Sequence, residues 1–169
     1  MTTEEIIREL PKGLIKWYGF QKGQRVLFIT VGTQVDMALV DAFGENGLFV
    51  DCVQPEELES HVGTSYDLAV ITAAIEHTKN VREAVKLLTK IRNALNENGK
   101  LFLGMDNRLG IRYFCGDRDK YTSRNFDGVE NYRRAYSAKE DFFCGRCYSD
   151  VEIKRILKDA GWQYYRFFS

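Results

Sequence analysis

Four short apolar runs, separated by segments of helical periodicity, constrain this chain more than any other feature. The runs are Arg25-Val-Leu-Phe-Ile-Thr-Val31, Leu48-Phe-Val-Asp-Cys-Val53, Leu68-Ala-Val-Ile71 and Lys100-Leu-Phe-Leu-Gly-Met105. Strands that are apolar at consecutive positions are covered on both faces, as in parallel sheets. Between them, the run from Val35 to Phe43 has helical spacing and stops at Gly44, and Asn46-Gly47 turns into the second run. Pro55-Glu-Glu-Leu-Glu opens a short helix. Val81, Val85, Leu88 and Leu95 mark one face of a long helix that Asn98-Gly99 ends. Strands alternating with helices imply right-handed crossovers, hence an open, doubly wound, mainly parallel α/β sheet.

Both ends of the chain extend this pattern. Thr2 and Glu5 have capping-box spacing ahead of Ile6, Leu10 and Leu14, and Pro11 is expected to divide this lead-in into two short helices. Ser149 caps a last helix through Asp159, Gly161 closes it, and Trp162 to Ser169 reads as a final strand.

The length of 169 residues fits a single domain over 1–169. Lysine plus arginine (24) balance aspartate plus glutamate (24), so no net field steers the chain toward nucleic acid or an anionic membrane. The start carries no signal-peptide pattern and no apolar run is long enough to span a bilayer, so the expected location is the cytoplasm. Cys52, Cys115, Cys144 and Cys147 are expected as reduced thiols. Cys144-Gly-Arg-Cys147 has the spacing of half a zinc site, but no second close pair completes it, and no metal is expected.

In such a sheet, ligands bind beyond the carboxyl ends of the strands where strand order reverses. Asp106, Asn107 and Arg108 leave the fourth run at that end. They open a segment interleaving Tyr113, Phe114, Tyr121, Phe126 and Tyr132 with Arg112, Arg118, Arg124 and Arg133, a mixture able to stack sugars and bind phosphate. Asp117, Asp119, Asp127, Glu130, Glu140 and Asp141 share the segment, so its arginines can equally pair internally and the segment pack on itself as a lid. Glu76 and His77 follow the third run. They read either as groups for proton transfer or as a helix-start acid beside a surface histidine. Gly32 reads either as a glycine against a ligand or as the permissive residue of a strand-to-helix turn.

Tyr66-Asp-Leu-Ala-Val-Ile71, Ile75-Glu-His77, the long helix and Asn98-Gly-Lys-Leu-Phe-Leu103 together resemble the fourth strand through fifth strand of class I S-adenosylmethionine-dependent methyltransferases, a Rossmann-like family. The stretch from Asp106 to Tyr132 further resembles methyltransferase-like domains found beside bacterial glycosyltransferase domains in surface-polysaccharide assembly. The resemblance implies S-adenosylmethionine as cofactor, with Thr30, Gly32, Thr33, Asp51 and Thr72 as candidate contacts. It places Glu76, His77, Asp106 and Asn107 as candidate catalytic groups and Arg108, Arg112 and Tyr113 against a small-molecule or glycan acceptor. Where the family has an acid and alternating glycines, this chain has Phe28, Thr30, Gly32 and Gln34. A non-catalytic docking or regulatory module beside a glycosyltransferase is the other reading. The spaced glycines of a nicotinamide-binding loop are absent.

Between Val53 and Asp67 the chain is too short for the family's third strand and its neighbouring helix, because a single parallel crossover takes about a dozen residues. The sheet is expected to skip that strand and run second, first, fourth, fifth, last. An aromatic final strand at an edge suggests a fragment of a longer chain and a homodimer through that edge.

Overall fold

The computed structural model describes residues 2–137 and 142–168; Glu140, Asp141 and Ser169 lie outside the described residues. The chain forms two compact units. The first runs up to Ala74 and resumes over Lys90–Leu103; the second consists of Ile75–Thr89 and the chain from Gly104 onward.

The first unit is built on β1 (Arg25–Ile29), β2 (Phe49–Val53), β3 (Tyr66–Ile71) and β4 (Leu95–Leu103), all parallel in the order β2-β1-β3-β4. This is the expected order without a last strand. Val26, Leu27, Phe28 and Ile29 are each fully buried, as an unbroken apolar run requires. Phe28 sits in the core with Phe43 of α2 (Gln34–Glu45), ring centroids 6.4 Å apart, and Phe20 meets Phe43 edge-on at 5.1 Å. Residues 54–65 hold one 3-10 helix, Glu57–His61, and no strand; its fully buried Leu58 supplies the apolar cover that so short a crossover can offer.

Two expectations are corrected in this unit. Pro11 does not divide the lead-in: α1 is one helix, Thr3–Tyr18. The Thr2–Glu5 capping box starts it and Gly19, in the left-handed region, donates its N–H to the Ile15 carbonyl to end it. Burial of Pro11 and packing of Leu14, Ile15 and Tyr18 on the core offset the lost main-chain bond. Asn98-Gly99 does not end the long helix. The helix, α3, spans Val81–Ala94, and Asn98-Gly99 lies in a bulge where the ladder jumps from Tyr66↔Leu95 to Leu68↔Lys100. Its buried stripe is Ala84, Leu87, Leu88, Ile91 and Ala94, with Val81 and Val85 at the margin.

The second unit contains α4 (Ile111–Phe114), a long run of turns, and α5 (Asp150–Asp159). A Ser149–Glu152 capping box starts α5, which buries Ile153, Ile156 and Leu157. Tyr148 is fully buried, and its hydroxyl lies 2.7 Å from Thr78 Oγ1. The expected final strand does not form: residues 162–168 make no ladder among the described residues, and Tyr164 and Phe168 remain exposed. Among the described residues no helix is long and apolar enough to cross a membrane.

Phe43→Ala should cost about 3 kcal/mol by removing the ring that joins α2 to Phe20 and Phe28, measured by urea unfolding with an unchanged slope.

Candidate functional site

At the carboxyl end of β1 the chain turns into α2 around one buried carboxylate, Asp36. Its Oδ2 accepts from Thr30 Oγ1 at 2.7 Å and from the N–H groups of Val31 and Thr33 at 3.2 Å each; its Oδ1 accepts from Thr72 Oγ1. Thr33 Oγ1 in return accepts from the Asp36 N–H at 3.1 Å, completing a capping box. The Gly32 N–H donates to Thr30 Oγ1 at 2.8 Å. Burial works against the charged form of Asp36, but the hydrogen bonds from Thr72, Thr30 and Thr33 outweigh it and hold the carboxyl below its ordinary value. Gly32 has φ +79°, and a Cβ added there would meet no heavy atom within 4 Å. The amides of Val31, Gly32 and Thr33 are thus all turned into the loop. The Thr33 carbonyl accepts from the Met37 N–H at 3.2 Å, and the bare Cα of Gly32 faces open space.

Thr30, Gly32, Thr33 and Thr72 are therefore brought together, but around a residue the sequence reading missed. The signal for it was present: Thr33-x-x-Asp36 repeats the spacing of Thr2-x-x-Glu5, and Asp36 interrupts the apolar face of α2. Asp51 does not join them. It lies opposite Leu27 in mid-strand, accepts from the Tyr66 hydroxyl at 2.6 Å, and is 3.6 Å from Arg25. Burial, then the Asp51 contact, push the Tyr66 phenol up to about 12.

In the second unit, Glu76 is fully buried and both of its oxygens are occupied. Oε1 accepts from the Asp106 N–H at 2.7 Å; Oε2 meets Lys120 Nζ at 2.5 Å and the Tyr121 hydroxyl. Lys120 Nζ also reaches Asp106 Oδ2 at 3.0 Å, which Arg112 approaches at 3.1 Å. Burial disfavours the Lys120 ammonium, but Glu76 and then Asp106 more than compensate and raise its pKa. Glu76, Asp106 and Cys147 offer ligand atoms within 4.8 Å of one another, and the Lys120 ammonium bridges both carboxylates where a metal ion would sit. Burial, then the charge of Glu76, push the Cys147 thiol up to about 12. Cys144 is exposed but Cys147 is buried, so the pair presents no surface dithiol.

The remaining candidates divide sharply. Arg108 is tied to Glu152 at 2.6 Å and to the Gly128 carbonyl at 3.1 Å, so it braces the unit. Tyr113 is buried with its hydroxyl on Arg112 at 2.6 Å, and Asn107 Oδ1 accepts from the Leu109 N–H. Arg112 and Arg124 end on Asp106 and Asp127, in line with internal pairing of the segment. His77 is exposed, its ring edge-on to Tyr121 at 5.6 Å. Of the four candidate catalytic residues, Glu76, Asp106 and Asn107 each hold a polar neighbour, whereas the His77 ring stands open to solvent.

Asp36→Ala should cost about 3 kcal/mol near neutrality, since it orphans several donors at once. A lowered folded-state pKa places this stabilisation above the ordinary carboxyl value of 3.8 and removes it as pH falls through the lower folded value, so the gap between wild type and variant in urea titrations should close in strong acid. Lys120→Met should cost about 2 kcal/mol by leaving Glu76 buried without its cation, and Glu76→Gln in the same chain should recover most of the loss.

No protein-family model matches the chain, and no curated protein matches it. Solved structures do. An S-adenosylmethionine-dependent methyltransferase of Archaeoglobus fulgidus superposes with TM-score 0.59 at 16% identity, over 91% of this chain and 68% of that one. One of Leishmania major gives 0.57 at 15% over 94% and 64%, and one of Clostridium acetobutylicum 0.51 at 10% over 94% and 80%. At these identities the likeness is one of architecture: the chain has the Rossmann-like α/β fold of these methyltransferases.

Proposed function

We propose that the chain is an S-adenosylmethionine-dependent methyltransferase acting on a small-molecule or glycan acceptor. The observation that carries the reading is the Asp36-braced turn at the carboxyl end of β1, where Gly32 faces open space. This is where a sheet of this kind binds its ligand. Neither Phe28, which is in the core, nor Gln34, which starts α2, comes within 4 Å of a Cβ placed on Gly32. S-adenosylmethionine, when bound, supplies a methyl group carried on a sulfonium centre. Gly32 admits close approach of its methionine part, and Asp36 keeps the turn in one conformation before binding. Alignment of the acceptor is the main rate effect.

Among the candidate catalytic groups, His77 is the proton acceptor on this reading, since Glu76 and Asp106 are engaged with Lys120. Glu76 positions the chain by holding the Asp106 N–H. The resemblance of Asp106 to Tyr132 supports a cytoplasmic setting in which a glycosyltransferase domain accompanies this one in a longer chain.

Calorimetry should detect S-adenosylmethionine and S-adenosylhomocysteine binding at micromolar concentration, and Gly32→Val should abolish it at a temperature where the variant remains folded. Absence of heat with millimolar ligand would replace the enzyme by a non-catalytic module. With a panel of nucleotide sugars and labelled cofactor, His77→Asn should lower transfer about 10²-fold.

A further inference from the structure

In the first unit, β2 ends the strand order β2-β1-β3-β4, and no strand among the described residues lies on its outer side. The register with β1, Arg25↔Phe49 through Ile29↔Val53, directs the main-chain groups of Phe49, Asp51 and Val53 inward. Phe49 N–H donates to Gln24 O and Val53 O accepts from Thr30 N–H, each at 3.0 Å. Alternation along the strand then turns the N–H and C=O of Val50 and Cys52 outward. An open cleft of ≈ 620 Å³ is lined by 50–53 with Glu56, Glu57 and His61. Successive strand residues point to opposite faces, so a cleft touching all four runs along the edge.

The side chains of this cleft are acceptors. Asp51, Glu56, Glu57 and Glu59 are carboxylates, with Arg25 beside Asp51 and Lys90 on Glu59. Among the described residues neither Glu56 nor Glu57 makes an ion pair. The single hydrogen of the Tyr66 hydroxyl goes to Asp51, so the 2.7 Å contact between that hydroxyl and His61 Nδ1 requires Nδ1–H to donate. A ligand for this cleft needs main-chain groups to pair with the edge and cationic donors to meet the acceptors.

We propose that the open edge of β2 takes up an extended basic segment of a partner protein as a fifth strand. Its main chain pairs with Val50 and Cys52, and its Lys or Arg side chains reach Asp51, Glu56 and Glu57. A second copy of this chain does not fit, because edge-to-edge pairing would set these acids against their own kind. The inference stands apart from the methyl-transfer reading.

The test uses a fluorescent, end-blocked peptide of alternating Lys and Val, with a Lys–Pro peptide of equal charge as control. The full chain should bind the first at least tenfold more tightly, with slowed amide exchange at Val50 and Cys52. Cys52→Pro removes one outward N–H while sparing the ladder to β1, and should lower affinity at least tenfold. Glu56→Lys, an exposed change, should weaken binding severalfold whatever the fate of the proline variant. Equal binding of both peptides, an unchanged affinity in Glu56→Lys, no binding by the wild-type chain, or exchange protection of the same amides through self-association would each overturn the proposal.

Discussion

The Asp36 carboxylate is the point on which the functional end of the first unit depends. A carboxylate out of water survives only if its lone pairs are met, and here two threonine hydroxyls and two main-chain N–H groups meet them. The consequence is geometric: the end of β1, the start of α2 and the residue after β3 are pinned to one atom group. Gly32 then sits at positive φ with its Cα bare. One glycine suffices for this turn because side chains, not further glycines, define it.

Glu76 does the same for the second unit by different chemistry. It is buried against an ammonium, a phenol and an N–H, which ties the chain after β4 to the residues around Lys120. Groups that look catalytic by residue type make internal ties here. The arginines and aromatics that suggest a sugar platform serve as internal ties as well: Arg108 clamps α5 to Gly128, and Tyr113 and Tyr132 are interior. His77 and the rings of Phe114 and Phe126 are among the groups that stay open to solvent.

The short span between β2 and β3 has consequences beyond the missing strand. With only a 3-10 helix in the crossover, β2 becomes an edge, and the acids of that helix stand beside it. Edge strands are commonly guarded by charge or brevity, and β2 has both. The same charges that discourage pairing with a copy invite a basic strand.

Strand positions, their parallel pairing, the absent third strand, the Thr2–Glu5 capping box and the Ser149 cap follow from the sequence by itself, because they rest on local periodicity, chain length and side chains three residues apart. Pro11 could not be placed that way: a helix runs through it because distant core residues outweigh a local cost. The final strand failed for the opposite reason, since its aromatic pattern is local but a ladder needs a neighbour. Residue types at strand ends nominated Thr30, Gly32, Thr33 and Thr72. Only the tertiary structure decided that they converge on Asp36, that Glu76 is committed to Lys120, and that Asp51 belongs to Tyr66, because each is a pairing between groups far apart in the chain.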